Sequence, residues 1–381
     1  MTPVFPVIMA GGPGSRLWPE SRKNRPKPFL PLLQEGRSLI RATLDRIGNL
    51  APDDRRFIVA GRDFEALVRE QAPELDPDKI LLEPEGRDTA PCVAWAAMEA
   101  QRIDPDAVLL VLPSDHLIEP DDAFRNAVRR AVKLVEKDND ALVALGVEPK
   151  FPATCYGYVE RDEKPLDGER AFRARKFREK PDLKTAREFC DNGNFYWNAG
   201  IFVWKANRYL DLLRRFEPEL GATLDVMRER IKLIRDQRKR PEDDRSFVDA
   251  FRNAKKISID YAILERAENV LVLPVDNFSW NDIGSFNALE EFERERRQAD
   301  TNGNLAVGAS LVAVNAKDNC VRVLKNKNDA FSKKKLVAFV GVDDLLVVET
   351  DDAILVANKK DDQALKNLVK KIKLEGLDEF L

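Results

Sequence analysis

The chain has 381 residues but only one histidine, His116, and four cysteines that never form a C-x-x-C pair. A single imidazole excludes a multi-histidine metal site and leaves chemistry to carboxylates, cations and metal. Cys92, Cys155, Cys190 and Cys320 are scattered, so they read as reduced thiols in a cytoplasmic protein rather than disulfides or zinc ligands. No apolar run approaches the length of a membrane span, and the start lacks the basic and long apolar regions of an export signal. Charge of one sign is missing too: 63 basic against 66 acidic residues leave −3. That balance gives no global field for nucleic acid or an anionic membrane, so any phosphate recognition must be local. The basic run 235–240 is interleaved with acid and reads as a solvated helix face.

What is present is an alternation of periods. Val4 to Ile8, Arg56 to Ala60, Lys79 to Glu83, Val108 to Leu112 and Ala141 to Val147 read as apolar strands. Ser38 to Ile47, Asp63 to Gln71, Ala90 to Arg102 and Asp121 to Lys137 read as helices between them, with Ser38 a candidate N-cap. Such alternation predicts an α/β fold, Rossmann-like, whose mixed, mainly parallel sheet is covered by helices. Residues 154–160 and 171–181 continue it as strands, and 207–251 as charged helices. The turn at 300–304 divides a catalytic domain, 1–298, from a small β-rich domain, 299–381. The latter ends in an amphipathic helix over 361–372, and its lack of a hexapeptide repeat argues against a long β-helix.

In such sheets ligands sit beyond the carboxyl ends of the strands. After the first strand come Gly11, Gly12, Gly14, Ser15 and Arg16, with Lys27 on the same loop. Glycines allow close backbone approach and the cations neutralise charge, which together describe a phosphate cradle. The loop lacks the Gly-Lys-Ser/Thr ending of a Walker loop, and Leu17 occupies the third glycine position of the dinucleotide fingerprint.

The stretch Gly11–Pro19, followed by Ser21-Arg22 and Pro26-Lys27-Pro28-Phe29-Leu30, resembles the signature of sugar-1-phosphate nucleotidyltransferases, most closely the mannose-1-phosphate guanylyltransferases. Pro28 replaces a usual Gln, and Glu20 stands where an apolar residue is common. Five further segments resemble that family. Glu83-Pro84-Glu85-Gly86-Arg87-Asp88-Thr89-Ala90 matches a purine and ribose segment, with Asp88 in place of Asn and a helix cap as its plainer reading. Leu112-Pro113-Ser114-Asp115-His116 puts a carboxylate at a strand end, where Mg²⁺ is well held, and His116 reads as structural. Phe177-Arg178-Glu179-Lys180-Pro181 and Trp197-Asn198-Ala199-Gly200 imply hexose and sugar-phosphate contacts, joined by Gly157 and by Asp260, a ligand contact or a helix cap. Trp280-Asn281-Asp282-Ile283-Gly284 supplies a second metal carboxylate.

The resemblance thus implies Arg16 and Lys27 as catalytic. It assigns Gly11, Gly12, Gly14, Ser15, Glu83, Arg87, Asp88, Thr89 and Ser114 to the nucleotide. Gly157, Glu179, Lys180, Asn198 and Asp260 fall to the sugar phosphate, and Asp115 and Asp282 to Mg²⁺. The implied reaction joins GTP and mannose 1-phosphate into GDP-mannose and pyrophosphate, with no nucleic-acid or membrane partner and a homodimer contact through the tail. Two alternatives stay open: another nucleotide and hexose pair, such as UTP or dTTP with glucose 1-phosphate, and a silent subunit that binds GDP-mannose. A fused phosphomannose isomerase is disfavoured, because the histidines for its zinc site are absent.

Overall fold

The computed structural model describes residues 2–12, 14–33, 36–166, 168, 170–324, 335–361 and 364–381, so Pro13 of the glycine loop lies outside the described residues. The chain divides into two compact units, one made of Met1–Gly11 with Ile40–Trp280, the other of Gly12–Leu39 with Asn281–Leu381.

The first unit is built on a nine-stranded sheet. Its elements run β1 (Val4–Ala10), α1 (Leu39–Ile47), β2 (Phe57–Gly61), α2 (Glu65–Gln71), β3 (Ile80–Glu83), α3 (Thr89–Ile103), β4 (Val108–Pro113), β5 (Leu117–Glu119), α4 (Asp121–Lys137) and β6 (Leu142–Val147). They continue through β7 (Tyr158–Pro165), β8 (Phe172–Arg178), α5 (Leu183–Asn192), β9 (Phe195–Lys205), α6 (Ala206–Phe216), α7 (Pro218–Asp236), α8 (Arg245–Asn253), β10 (Val270–Val275) and β11 (Ser279–Asn281). The sheet order is β3-β2-β1-β4-β9-β6-β10-β8-β7. Strands β3, β2, β1 and β4 are parallel, as are β6 and β10. The long β9 runs antiparallel between β4 and β6. Residues 154–156, expected to open a strand, are instead bends, and the ladder begins at Tyr158 opposite Trp197.

The parallel strands read as unbroken apolar runs because helices cover both faces. Helix α3 is buried from Ala90 to Ala100, and its alanines let it lie close against β1, α6 and α7. Trp95 fills the space beside it, with ring centroids 4.7 Å from Phe247 and 5.8 Å from Phe251 on α8. The register Met9↔Pro113, Ala10↔Ala60 and Gly61↔Glu83 brings the carboxyl ends of four neighbouring strands to one edge. The nucleotide and metal motifs of this unit start from that edge.

The second unit joins the glycine loop to α9 (Phe286–Arg294) and the tail. The tail holds β12 (Leu305–Val307), β13 (Ser310–Val314), β14 (Cys320–Val323), β15 (Leu336–Val340), β16 (Leu345–Glu349), β17 (Ile354–Asn358) and α10 (Ala364–Leu374). Strands β12, β14 and β16 form one parallel ladder and β13 with β15 another. The two ladders alternate along the chain and share a core of Ala309, Ala316, Val321, Val323 and Phe339. This is the pattern of a short β-helix, within the small β-rich domain that the sequence predicts. Its steps are unequal, from Leu305 to Cys320 and then from Cys320 to Leu346, so no repeat is visible in the sequence. Asparagines hold the stack: Asn304 Oδ1 accepts from Asn319 Nδ2 at 2.8 Å, and Asn319 Oδ1 accepts from the Leu345 amide at 2.9 Å. These side chains satisfy backbone groups that a coil corner leaves unpaired.

Candidate functional site

In the first unit, motifs distant in sequence are stitched into one surface. The Ile257 amide donates to the Arg87 carbonyl at 3.3 Å, and the Ala90 amide to the Ile257 carbonyl at 3.1 Å. The Ile259 amide donates to Thr89 Oγ1 at 2.9 Å. The segment Glu83–Ala90 and the residues beside Asp260 are therefore neighbours. Asp88 caps α3, its carboxylate accepting from the Thr89 amide at 2.8 Å, so the cap reading holds. Glu83 is buried, with Oε1 lacking a partner, and burial beside Asp88 pushes its carboxyl up to about 8. It is a neutral acid at pH 7, able to donate as well as accept.

The hexose-motif residues gather around Asn198. Its amide donates to the Gly157 carbonyl at 2.8 Å, its Nδ2 to Asp260 at 3.1 Å, and its Oδ1 accepts from the Gly200 amide at 3.0 Å. Asp260 opens a π-helical turn, Asp260–Leu264, and its side chain does not cap it. Burial and the facing Glu179 carboxylate push its pKa up to about 7. Glu179 pairs with Lys180 at 2.6 Å, and Arg178 points to solvent. Gly157 leaves room for Glu179: a Cβ there would push the Glu179 carboxylate aside and lie 3.4 Å from Asn198 Cβ.

Asp115 follows β4, with His116 Nε2 4.0 Å from its carboxylate. His116 is structural, as expected: its Nδ1 accepts from Trp280 Nε1 at 3.2 Å, and the two rings meet edge to face. Trp280 in turn packs on Tyr156 (5.0 Å between centroids) and Tyr156 on Trp197 (5.1 Å). This aromatic wall was not singled out from sequence, although each ring sits inside or beside a motif. Ser114 is 1% exposed, its hydroxyl buried without a partner and its amide on the Met9 carbonyl at 3.2 Å. It braces the strand end from within.

In the second unit, Gly14 takes a left-handed conformation (φ 59°) and starts a turn over Ser15–Leu17. Lys27 packs directly on it: a Cβ at Gly14 would lie 2.7 Å from Lys27 Cβ. Lys27 is 7% exposed and its ammonium donates to the Asp282 carbonyl. Pro28 fits its position, since it falls in the first turn of the 3-10 helix Lys27–Phe29, where no amide donor is needed. The Arg16 guanidinium has no hydrogen bond or ion pair among the described residues. The Asp282 carboxylate accepts from the Gly284 amide at 2.9 Å, and a Cβ at Gly284 would crowd both its oxygens at 3.1 Å.

Three non-glycine residues of these motifs have positive φ: Asp88 at 66°, Lys180 at 43° and Ile283 at 43°. For a β-branched residue such as Ile283 this is a true outlier, and strain of this kind gathers at functional sites. A cleft of about 580 Å³ at the end of α7, lined by Arg230, Arg238 and Lys239 among others, contains none of the motif residues.

The sequence pattern of the Nucleotidyl transferase family matches residues 5–299, which is most of the chain. The chain belongs to this family. A MannoseP isomerase/GMP-like beta-helix domain matches residues 312–372, in agreement with the coiled tail. The xanthan biosynthesis protein XanB of Xanthomonas campestris is 38% identical over 381 residues, covering 100% of this chain and 75% of that protein. A mannose-1-phosphate guanylyltransferase of Salmonella montevideo is 38% identical over 384 residues, covering 99% of this chain and 76% of its own length. Among solved structures, a Thermus thermophilus protein described as a mannose-1-phosphate geranyltransferase aligns with a TM-score of 0.81 at 34% identity, covering 98% of this chain and 100% of that one. Among the described residues, no helix of this family member is long and apolar enough to cross a membrane.

Proposed function

We propose that the chain transfers the guanylyl group of GTP to mannose 1-phosphate, releasing pyrophosphate and forming GDP-mannose. One observation carries the reading: the Glu83–Ala90 segment is bonded to residues 257–259, beside the Gly157, Glu179, Lys180, Asn198 and Asp260 cluster. Nucleotide and hexose motifs are thereby adjacent, as transfer between their ligands requires. The names of the relatives support the same pair of substrates.

In this reading a phosphate oxygen of mannose 1-phosphate attacks the α-phosphorus in line. The new P–O bond forms as the bond to the pyrophosphate oxygen breaks. Lys180 holds the incoming phosphate, while Asn198, Glu179 and Asp260 take the hexose hydroxyls. The backbone at Gly11, Gly12, Gly14 and Ser15 receives the triphosphate, and Arg16 and Lys27 neutralise charge that develops on it. Glu83, Arg87, Asp88 and Thr89 face the base and ribose, with Ser114 supporting the strand end. No protein nucleophile is needed, because positioning and charge neutralisation carry such transfers.

Asp115 and Asp282 are assigned to Mg²⁺. The donor chemistry fits it: both residues offer hard carboxylate oxygens, and Mg²⁺ is commonly held by one or two carboxylates with phosphate oxygens and water. Bound there, the ion supplies Lewis-acid stabilisation of phosphate charge. Cysteines that form no disulfide among the described residues suit a reducing, cytoplasmic setting. We assign transfer to residues 1–298, and a homodimer contact to 299–381.

The test is pyrophosphate release from mannose 1-phosphate with each of GTP, ATP, UTP and dTTP, with and without Mg²⁺. Geranyl diphosphate serves as a control, because the similar Thermus protein is described as a geranyltransferase. Release selective for GTP is expected. Release with another donor discards the substrate pair, and none at all, alongside GDP-mannose binding, makes the chain a silent subunit.

A further inference from the structure

We propose that Arg22 is a positioning residue for transfer, fastening the Gly14–Lys27 loop to the coiled tail so that the tail sets the place of Arg16 and Lys27. The inference rests on the reading above for its kinetic consequence only. Arg22 spends its donors on protein. Nε bonds the Pro19 carbonyl at 2.8 Å, one terminal nitrogen the Phe380 carbonyl, and the other Thr350 Oγ1 at 3.2 Å and Asp352 at 2.6 Å. A guanidinium has five N–H donors in a fixed fork, so little of it remains for a phosphate. The side chain is 13% exposed, and its guanidinium lies 5.5 Å from the Trp18 ring centroid. Trp18 Nε1 donates to the same Phe380 carbonyl at 2.6 Å, so two loop side chains share one acceptor in the tail.

From Arg22 the tie passes into the backbone. Arg22 and Arg25 exchange amide-to-carbonyl bonds of 3.1 and 3.0 Å, and the Ser21 amide returns to Leu17 at 2.9 Å. Lys27 follows two residues after Arg25 and packs on Gly14. The loop is thus a closed set of short turns with no slack between its tail anchor and its cations. A second anchor lies alongside: the Glu20 carboxylate meets Arg322 of β14 at 2.5 Å, with both side chains buried, and Arg322 reaches Glu293 of α9 at 3.4 Å. That pair accounts for the carboxylate found where an apolar residue is common.

The experiment compares full-length wild type with Arg22→Met, Arg22→Lys and the double variant Thr350→Val/Asp352→Asn. The double variant leaves the loop sequence untouched and decides the matter if Arg22→Met fails to fold. Amide exchange over residues 14–30 should quicken roughly tenfold or more in Arg22→Met, and kcat should fall roughly ten- to a hundredfold while KM for the nucleotide stays within about threefold. Arg22→Lys should recover part of both, and the double variant should show a smaller change in the same direction. Unchanged exchange and kcat in a folded Arg22→Met overturn the proposal, as does faster exchange spread evenly over residues 281–381. If wild type releases no pyrophosphate with any nucleotide, the transfer reading fails, while the exchange arm still decides whether Arg22 holds the loop.

Discussion

The glycines of the first loop offer a test in which strain and crowding separate by position. Alanine at Gly11 meets nothing within 4 Å, and the backbone there is not left-handed. Alanine at Gly12 also meets nothing, but φ is +97°. At Gly14 φ is +59° and the new methyl would lie 2.7 Å from Lys27 Cβ and 2.9 Å from Ser21 Oγ. A left-handed backbone costs an L-residue roughly 1–2 kcal/mol. Forcing a methylene-sized group into packed space costs roughly 1–3 kcal/mol more. Stability losses of about zero, about 1–2 and about 2–5 kcal/mol follow for the three alanine variants, in chain order. At roughly 2–4 °C per kcal/mol, Gly12→Ala should melt a few degrees low and Gly14→Ala roughly 5–15 °C low. Calorimetry and kcat are measured on the same samples. Gly14→Ala should also lose turnover, because the methyl displaces Lys27. Gly11→Ala should melt normally and raise KM for GTP, since its methyl stands where only a phosphate would approach. The reasoning fails if Gly14→Ala melts with wild type, or if Gly11→Ala melts below Gly12→Ala.

Four further outcomes are expected. Lys27→Ala should lower kcat roughly 10²–10³-fold with nucleotide affinity changed far less, and equal losses in both would remove its transition-state role. Gly157→Ala should displace Glu179 from Lys180 and raise KM for mannose 1-phosphate about tenfold, with little change in melting because the displaced carboxylate ends a flexible side chain; an unaltered KM contradicts this. Glu83 has a folded pKa of about 8, above its unfolded value, so its stabilising share is full below about pH 4.5 and is lost as pH rises through about 8. Glu83→Gln should therefore gain on wild type between pH 5 and pH 8.5 in urea unfolding, by on the order of 2–4 kcal/mol, and a pH-independent difference would count against the burial argument. Arg322→Met should destabilise the second unit by about 3–5 kcal/mol, and adding Glu20→Met should restore much of it, because the cost is the stranded buried carboxylate rather than the lost pair.

Local chemistry made much of the fold legible. The strands β1 to β4 and β6 carry apolar runs that only a doubly covered sheet requires, and α4 spans the same residues in sequence pattern and structure. The motifs stood out because each gathers particular residue types at short spacing, and the fold brings the Glu83–Ala90 segment beside Asp260 and Asn198. Asp260 could not be resolved in advance, since a carboxylate near a helix start suits a cap and a ligand equally; the fold removes the cap and pairs the side chain with Asn198. The antiparallel β9 was hidden because its burial pattern does not depend on strand direction. The β-helix was hidden because its coils differ in length while its corners rely on Asn304 and Asn319, which read locally as turn residues.

What the sequence concealed most fully is the grip of the tail on the loop, since its partners lie 302 residues apart for Glu20 and Arg322, and 362 for Trp18 and Phe380. Each looks, in its own neighbourhood, like a surface ion or a buried ring. Glu20 was the one local sign, because a carboxylate at an apolar position must find a cation or stay neutral. A boundary at 298/299 follows the turn over 300–304, yet the contacts group Gly12–Leu39 with Asn281–Leu381. A cradle for phosphate needs a rigid floor, and short turns rich in glycine do not supply one themselves. The tail does, through Arg22, Trp18 and Glu20. A change at Thr350, 328 residues from Arg22, should accordingly behave as a kinetic variant of the loop rather than as a lesion of a separate domain.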